Sequence, residues 1–544
     1  MMLGVIMILG MVAACAPATP AAPGAPVAPG ADPVAPVIGA DLEDVEAAED
    51  GGALAIEGVE GAQVLREIQI IKDNNVPVSI NPHNPASAVP STGWNLTMIH
   101  DRLIERDPLT GNFLPGLAYD YETDDYQHFI FNLRQGVTFH NGDPFTAEDV
   151  VFTVESAQST HAIGSWAAAA WNPVETARAI DNYTLEIILD DIDVDFIFQL
   201  TRPASGILNP RAVSADRETG AWIGTGAFQV VEFVSSDFVL LHRNENWWGG
   251  LPPTEVVRLR FVPDMATRTI MMQTGEAHLS FGTPVEDMDY FIASPNFETF
   301  STTSNDPQGM QFNMNDPITG CYYFRRAVAH AICRTEIAFG SAGMWADGNI
   351  FGSYWGLGTE FRNENIQLPE RDLDLARQYL ERSVYNGEDV EIIVAIATFV
   401  RSATIIQMQL AEIGINIVIN ETDIGGISAN AVFGGDHQMV VFFTLITPSA
   451  GSARDAFRTG GGQNRASFSD PRVDYLLDTA RTIGDVATRR AMYEEVQEIV
   501  SGSLAFQGLF WRVFGNVRVP ELGGIILHPD PGSHDFRGIF VNVE

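Results

Sequence analysis

Residues 101–157 hold the densest set of agreeing local signals in the chain, and they constrain its fold more than any other stretch. They read DRLIERDPLTGNFLPGLAYDYETDDYQHFIFNLRQGVTFHNGDPFTAEDVVFTVESA. Phe129, Phe131 and Leu133 alternate with polar partners, a period of two that predicts a strand, and Val137 and Phe139 continue it. Asn141-Gly142 predicts a two-residue hairpin turn, because both residue types tolerate positive φ. Thr146 is placed to cap a helix, with Asp149 at the third helical position as its reciprocal partner. Val150, Val151, Phe152 and Val154 then supply the buried side of that helix. The stretch predicts strand, tight turn and capped helix.

The same residues resemble the signature region of the family 5 extracellular solute-binding proteins of ABC importers, the peptide and nickel group. Asp101-Arg102-Leu103, Pro115-Gly116-Leu117-Ala118, Leu133-Arg134-Gln135-Gly136-Val137, Phe139-His140-Asn141-Gly142, Pro144-Phe145 and Ala147-Glu148-Asp149-Val150 fall at the spacing of that family. Asn81-Pro82-His83-Asn84 matches its first cleft loop. Gly224-Thr225-Gly226-Ala227-Phe228 matches its GTGPF run, with alanine in place of proline, and Asn246-Trp247-Trp248-Gly249 resembles its N..YWG. Later matches include the helix around Phe324 to Ile332, the run Gln407 to Asn416, and Asn464 with Ser469-Asp470-Pro471. The resemblance spans about residues 64 to 520 of 544.

The resemblance implies an α/β fold of the enlarged type II periplasmic-binding-protein kind. Ligand lobe I would comprise 64–92, 222–308 and 505–544, an inserted domain 93–221, and ligand lobe II 309–504. A small solute, peptide or peptide-like, would lie between the lobes and be delivered to a membrane permease driven by cytoplasmic ATPases. No cofactor is called for. The expected partners are that solute and the permease subunits, with the chain itself monomeric.

The formal net charge is −39, and Lys72 is the only lysine; every other basic residue is arginine. Such a field disfavours nucleic acid and anionic membrane surfaces. Residues 1–15, MMLGVIMILGMVAAC, are too short an apolar run to span a bilayer and suit a signal peptide. Val12-Ala13-Ala14-Cys15 resembles a lipobox, although no basic residue precedes the run; Cys15 would carry the lipid that holds the protein at a bacterial cell surface or in the periplasm. Residues 16–63, rich in Ala, Pro and Gly and then acidic, read as a disordered tether. Cys321 and Cys333 bracket a predicted helix whose rise holds them roughly 18 Å apart, too far to bridge; both read as ordinary buried thiols.

No GxSxG or HExxH motif occurs, and the 11 histidines are scattered without metal-ligand spacing. The chain therefore reads as a binder rather than an enzyme. The alternatives are a sensor receptor or secreted hydrolase on the same scaffold, a metal-complex binder of the nickel type, and a structural surface lipoprotein. Peptide-binding members place an aspartate after the strand that here reads Val440 to Phe443, but no acid follows until Asp455. The expected cleft residues are Asn75, Asn81 and His83 from the first loop, Met310 and Asn313 from a crossover strand, Trp355 from a glycine-rich loop, Arg401, and Phe443 with Thr444. His140 reads as structural.

Overall fold

The computed structural model describes residues 64–543 except 73–77, 88–89, 108–109, 164, 284, 343–354, 356–358, 396, 423–426, 428–434, 436, 444–448 and 528–532. The chain divides into units 1–52 and 53–544, and every described residue belongs to the second. The expected leader, Cys15 and the tether thus lie outside the described residues, as do Asn75 and Thr444.

In chain order the strands used below are β1 (Glu67–Lys72), β2 (Ala118–Glu122), β3 (His128–Leu133), β4 (Val174–Asp181), β5 (Thr184–Leu189), β6 (Phe228–Val234), β7 (Phe238–Arg243), β8 (Val256–Phe261), β9 (Leu279–Phe281), β10 (Glu298–Phe312), β11 (Asp389–Val394), β12 (Asn416–Glu421), β13 (Met439–Phe443) and β14 (Phe506–Arg518). The helices are α1 (Pro90–Ile99), α2 (Ala147–Ala157), α3 (Tyr322–Ala331), α4 (Ala397–Ala411) and α5 (Val486–Ser503).

Ten strands form one sheet in the order β12-β11-β13-β10-β14-β9-β1-β8-β7-β6. Its centre is the antiparallel pair β10 and β14, of 15 and 13 residues, which runs from Glu298 opposite Arg518 to Gln311 opposite Phe506. The register slips between Thr303 and Pro307, where proline cannot donate to the ladder. On one side of the slip, β1 runs parallel to β8 and β9. On the other, β11 runs parallel to β12 and β13. The two half-sheets have separate cores: Ile68, Ile70, Val257 and Leu259 in one, Phe324, Ile392, Val440 and Phe442 in the other. β13 is continuously apolar, as a strand buried on both faces must be.

A second, antiparallel sheet, β2-β3-β5-β4, packs with α2 around Phe129, Phe131, Val150, Trp171 and Leu185. α1 serves two cores. Its Leu96 packs into this inserted sheet, while Trp94 and Met98 pack with β1. The boundary expected at residue 92 therefore falls within a helix.

β3 ends before the turn predicted at Asn141-Gly142, which forms beyond it with three loop residues, His140–Gly142: the Phe139 N–H donates to the Asp143 carbonyl at 2.8 Å and the Phe145 N–H to the Val137 carbonyl at 3.0 Å. β3 pairs with β2 and β5, and the segment after it makes a single bridge, Thr138 to Pro144. Gly136, at φ 79°, has already turned the chain out of the strand, and of the Asn-Gly pair only Gly142, at φ 84°, is left-handed. Val137 and Phe139, on the first arm of that turn, are buried in the inserted core. The cap of α2 is as predicted: the Asp149 carboxylate accepts the Thr146 N–H at 2.6 Å and its hydroxyl at 3.1 Å.

α3 separates Cys321 from Cys333. Cys321 is a half-buried free thiol at the start of that helix. Cys333, just past the helix, is buried.

Candidate functional site

The register locates where the half-sheets face each other. β9 ends at Phe281, opposite Asn516, which in turn pairs with Phe300. β1 runs level with β9, so Lys72 also ends there. From the other side β13 ends at Phe443, opposite Gln308. The carboxyl ends of parallel strands from both halves thus approach the slip at 303–307, the place where open α/β sheets bind ligands.

Phe443 stacks on Phe442 with ring centroids 4.3 Å apart and meets Phe399 of α4 at 6.1 Å. Arg401, on the same turn of α4, points its guanidinium at the Ser341 carbonyl, donating at 3.1 and 2.9 Å. Next to it the Gln308 amide donates to Ser402 at 2.6 Å, and Ser402 shares a hydrogen bond of 2.7 Å with Ser341. Gln308 is fully buried and its Oε1 has no hydrogen-bond partner. Gln308, Ser341 and Ser402 carry no motif and were not anticipated from sequence; only their convergence on the strand end marks them. The structure brings Phe443 and Arg401 together.

Asn81 and His83 lie elsewhere. They line a cavity of about 520 Å³ shared with Asn84, Phe152, Ser156 and Glu218, to which neither Phe443 nor Arg401 contributes. Asn81 Oδ1 accepts the His83 N–H at 2.9 Å, and its amide donates to the Arg217 carbonyl at 3.2 Å. The His83 ring bonds the Ser156 hydroxyl at 2.8 Å, and burial, with His100 nearby, holds its pKa down to about 3. It is a neutral, fixed imidazole.

Three expected cleft residues require correction. Met310 is fully buried in the core beside β13. Asn313 is engaged by backbone, donating to the Gly435 and His437 carbonyls at 3.0 and 2.7 Å. Trp355 is 1% exposed, stacks on Phe457 and donates to the Glu360 carbonyl at 3.0 Å. Among the described residues, no three His, Cys, Asp or Glu side chains gather to hold a metal ion.

The signature motifs converge on a different place. Asp101, fully buried, accepts from Thr225 at 3.0 Å, Trp247 at 3.2 Å and Trp248 at 2.7 Å. Burial pushes its carboxyl up, and Arg537, 3.8 Å away, pulls it back. Arg537 also binds Asp535 and Glu105, and Glu105 pairs with Arg102. Gly224 and Gly226 are required because a Cβ there would lie 2.0 Å from the Ile99 carbonyl and 2.5 Å from that of Met98. His140 accepts the Gly224 N–H on Nδ1 and so donates from Nε2 to the Gly226 carbonyl, at 3.3 and 3.0 Å. These motifs bolt the inserted sheet to the first half-sheet.

A model described as bacterial extracellular solute-binding proteins, family 5, matches residues 112–465. The nickel-binding periplasmic protein of Escherichia coli is 22% identical over 83% of this chain and 91% of its own length. The glutathione-binding protein GsiB of Escherichia coli is 26% identical over 76% and 84%. Among solved structures, the ABC transporter substrate-binding protein CtaP of Listeria monocytogenes superposes with a TM-score of 0.77 at 19% identity, covering 88% of this chain and all of its own. A Pseudoalteromonas dipeptide-binding protein in complex with Met-Leu gives 0.76 at 20%, with the same coverage.

Proposed function

Because the chain belongs to the family 5 bacterial extracellular solute-binding proteins, we propose that its solute is a small peptide or peptide-like molecule, held at the slip between the half-sheets. The chain is the substrate-binding component of an ABC importer, capturing a small solute outside the cytoplasm and handing it to the permease. The two relatives in sequence named above are binding proteins. Residues 1–63 would serve as leader and tether, with Cys15 as the lipid anchor.

The observation that carries the solute reading is the strand-end group of Phe443, Phe399, Arg401 and Gln308. It offers stacked rings, a guanidinium and a buried unmet acceptor where two sets of parallel strands end. No carboxylate belongs to that group, so the reading favours a ligand held by stacking and amide contacts over one gripped by its ammonium end. Relatives that bind glutathione and a dipeptide support the same class.

Thermal unfolding against a panel of Met-Leu, glutathione, nickel–histidine complex and haem tests it. A member present at about a hundredfold above its Kd should stabilise the protein by about 2.7 kcal/mol. A shift with Met-Leu or glutathione is expected. A shift with only the nickel complex or haem would exclude the peptide class.

A further inference from the structure

Among the described residues, a buried charged contact joins the segment after the inserted sheet to the half of the chain that holds α5. Asp195, which precedes the helix Phe196–Gln199, is 8% exposed. Its partners come from far along the chain. Arg489 of α5 donates to Oδ1 at 2.8 Å, and the Ser449 hydroxyl donates to the same oxygen at 3.0 Å. Its Oδ2 is buried without a hydrogen-bond partner. Gly451 closes over it so tightly that an added Cβ would lie 2.2 Å from Oδ2. The flanking residues extend the contact. The Val194 N–H donates to the Arg481 carbonyl at 3.0 Å, and Asp193 lies 3.8 Å from the Arg481 guanidinium. Tyr126, held at φ 57°, accepts the Asp193 N–H on its carbonyl at 3.0 Å and rests its ring against Gly484.

Removing a carboxylate from water is costly, and one left with an unmet oxygen is poorly compensated. Such a contact is a weak source of stability, but it fixes a geometry. What it fixes is the turn Ala450–Ser452, capped by Ser449, whose hydroxyl accepts the Gly451 N–H while donating to Asp195. That turn follows residues 444–448, the segment leaving β13 at the strand-end group.

We propose that Asp195 is a positioning residue for solute capture: from the inserted sheet it latches the turn after β13 and so holds the second half-sheet closed over the cleft. This rests on the solute-binding reading for its purpose, though not for its geometry. The acid absent from the stretch after β13 is supplied across the cleft by another part of the chain, and it grips protein rather than ligand.

Small-angle X-ray scattering of the intact chain, with no solute added, tests the latch. Asp195→Asn removes the charge, and Gly451→Ala wedges a methyl into the contact without touching a charge. Each should increase the radius of gyration while the far-UV circular dichroism stays that of the wild type. Arg489→Gln combined with Asp195→Asn should open the protein no further than either change alone, since both break one contact. Variants that fold and scatter like the wild type would overturn the latch. If they open while no panel member shifts the wild-type melting temperature, the latch stands and the solute reading falls. If the panel shifts the wild type while the variants stay compact, the latch alone falls.

Discussion

His83, His100 and His140 are kept neutral by burial, which holds their pKa values down to about 3, 4 and 4. The unfolded chain protonates them near the ordinary 6.5, so below that pH the unfolded state binds more protons than the native one. Stability is therefore present above about 6.5 and is lost as pH falls towards 4, each imidazole contributing a slope of up to about 1.4 kcal/mol per pH unit. Asp193 runs the other way: burial and the charge of Asp195 raise it to about 6, so its protonation favours the native state on acidification. Asp101, also raised, acts in the same sense. Three imidazoles outweigh them, and the denaturant midpoint should fall between pH 7 and pH 5. A flat or rising midpoint would show that these rings are solvated. His140 was legible in sequence as structural, because it sits in a motif that the resembled family shares whatever the ligand. Asp195 was not legible. Its partners Ser449 and Arg489 stand 254 and 294 residues away, and nothing local marks a carboxylate that will be buried.

At the scale of elements, what could be read was what is decided locally. The Thr146–Asp149 cap needs only four consecutive residues, and α2 begins where they require. Asp149→Ala leaves the Thr146 N–H without its acceptor and should cost about 1 kcal/mol of stability by chemical denaturation. A loss near zero would mean that water replaces the carboxylate. The Asn141-Gly142 turn forms, with one loop residue more than was read, but its short second arm, Asp143–Phe145, is not the partner of β3. β5, 43 residues beyond Asn141 at its start, took the pairing on β3 instead. Trp355 was misread for a related reason. A glycine-rich setting suggested exposure, yet Phe457 and Tyr493 close over the ring from distant helices. The strand-end group at Phe443 was foreseen in part, as Phe443 and Arg401. Gln308 was not, because its position depends on the register of β10 against β13.

For the whole molecule, the long pair β10 and β14 joins two half-sheets with separate cores, and its slip at 303–307 is the natural place for one half to swing against the other. Lys72 stands at the edge of that region, at the end of β1, with its ammonium 3.9 Å from the centre of the Trp94 ring. It is the only lysine in the chain. Apart from the chain's amino terminus, the molecule therefore carries a single primary amine, and that amine lies at the mouth of the proposed cleft. Amine-directed acylation followed by mass spectrometry should give one internal adduct, at Lys72, formed more slowly once solute is bound. Equal rates with and without a stabilising solute would place the ligand away from β1. A chain so poor in lysine thus offers a chemical reporter of its own occupancy.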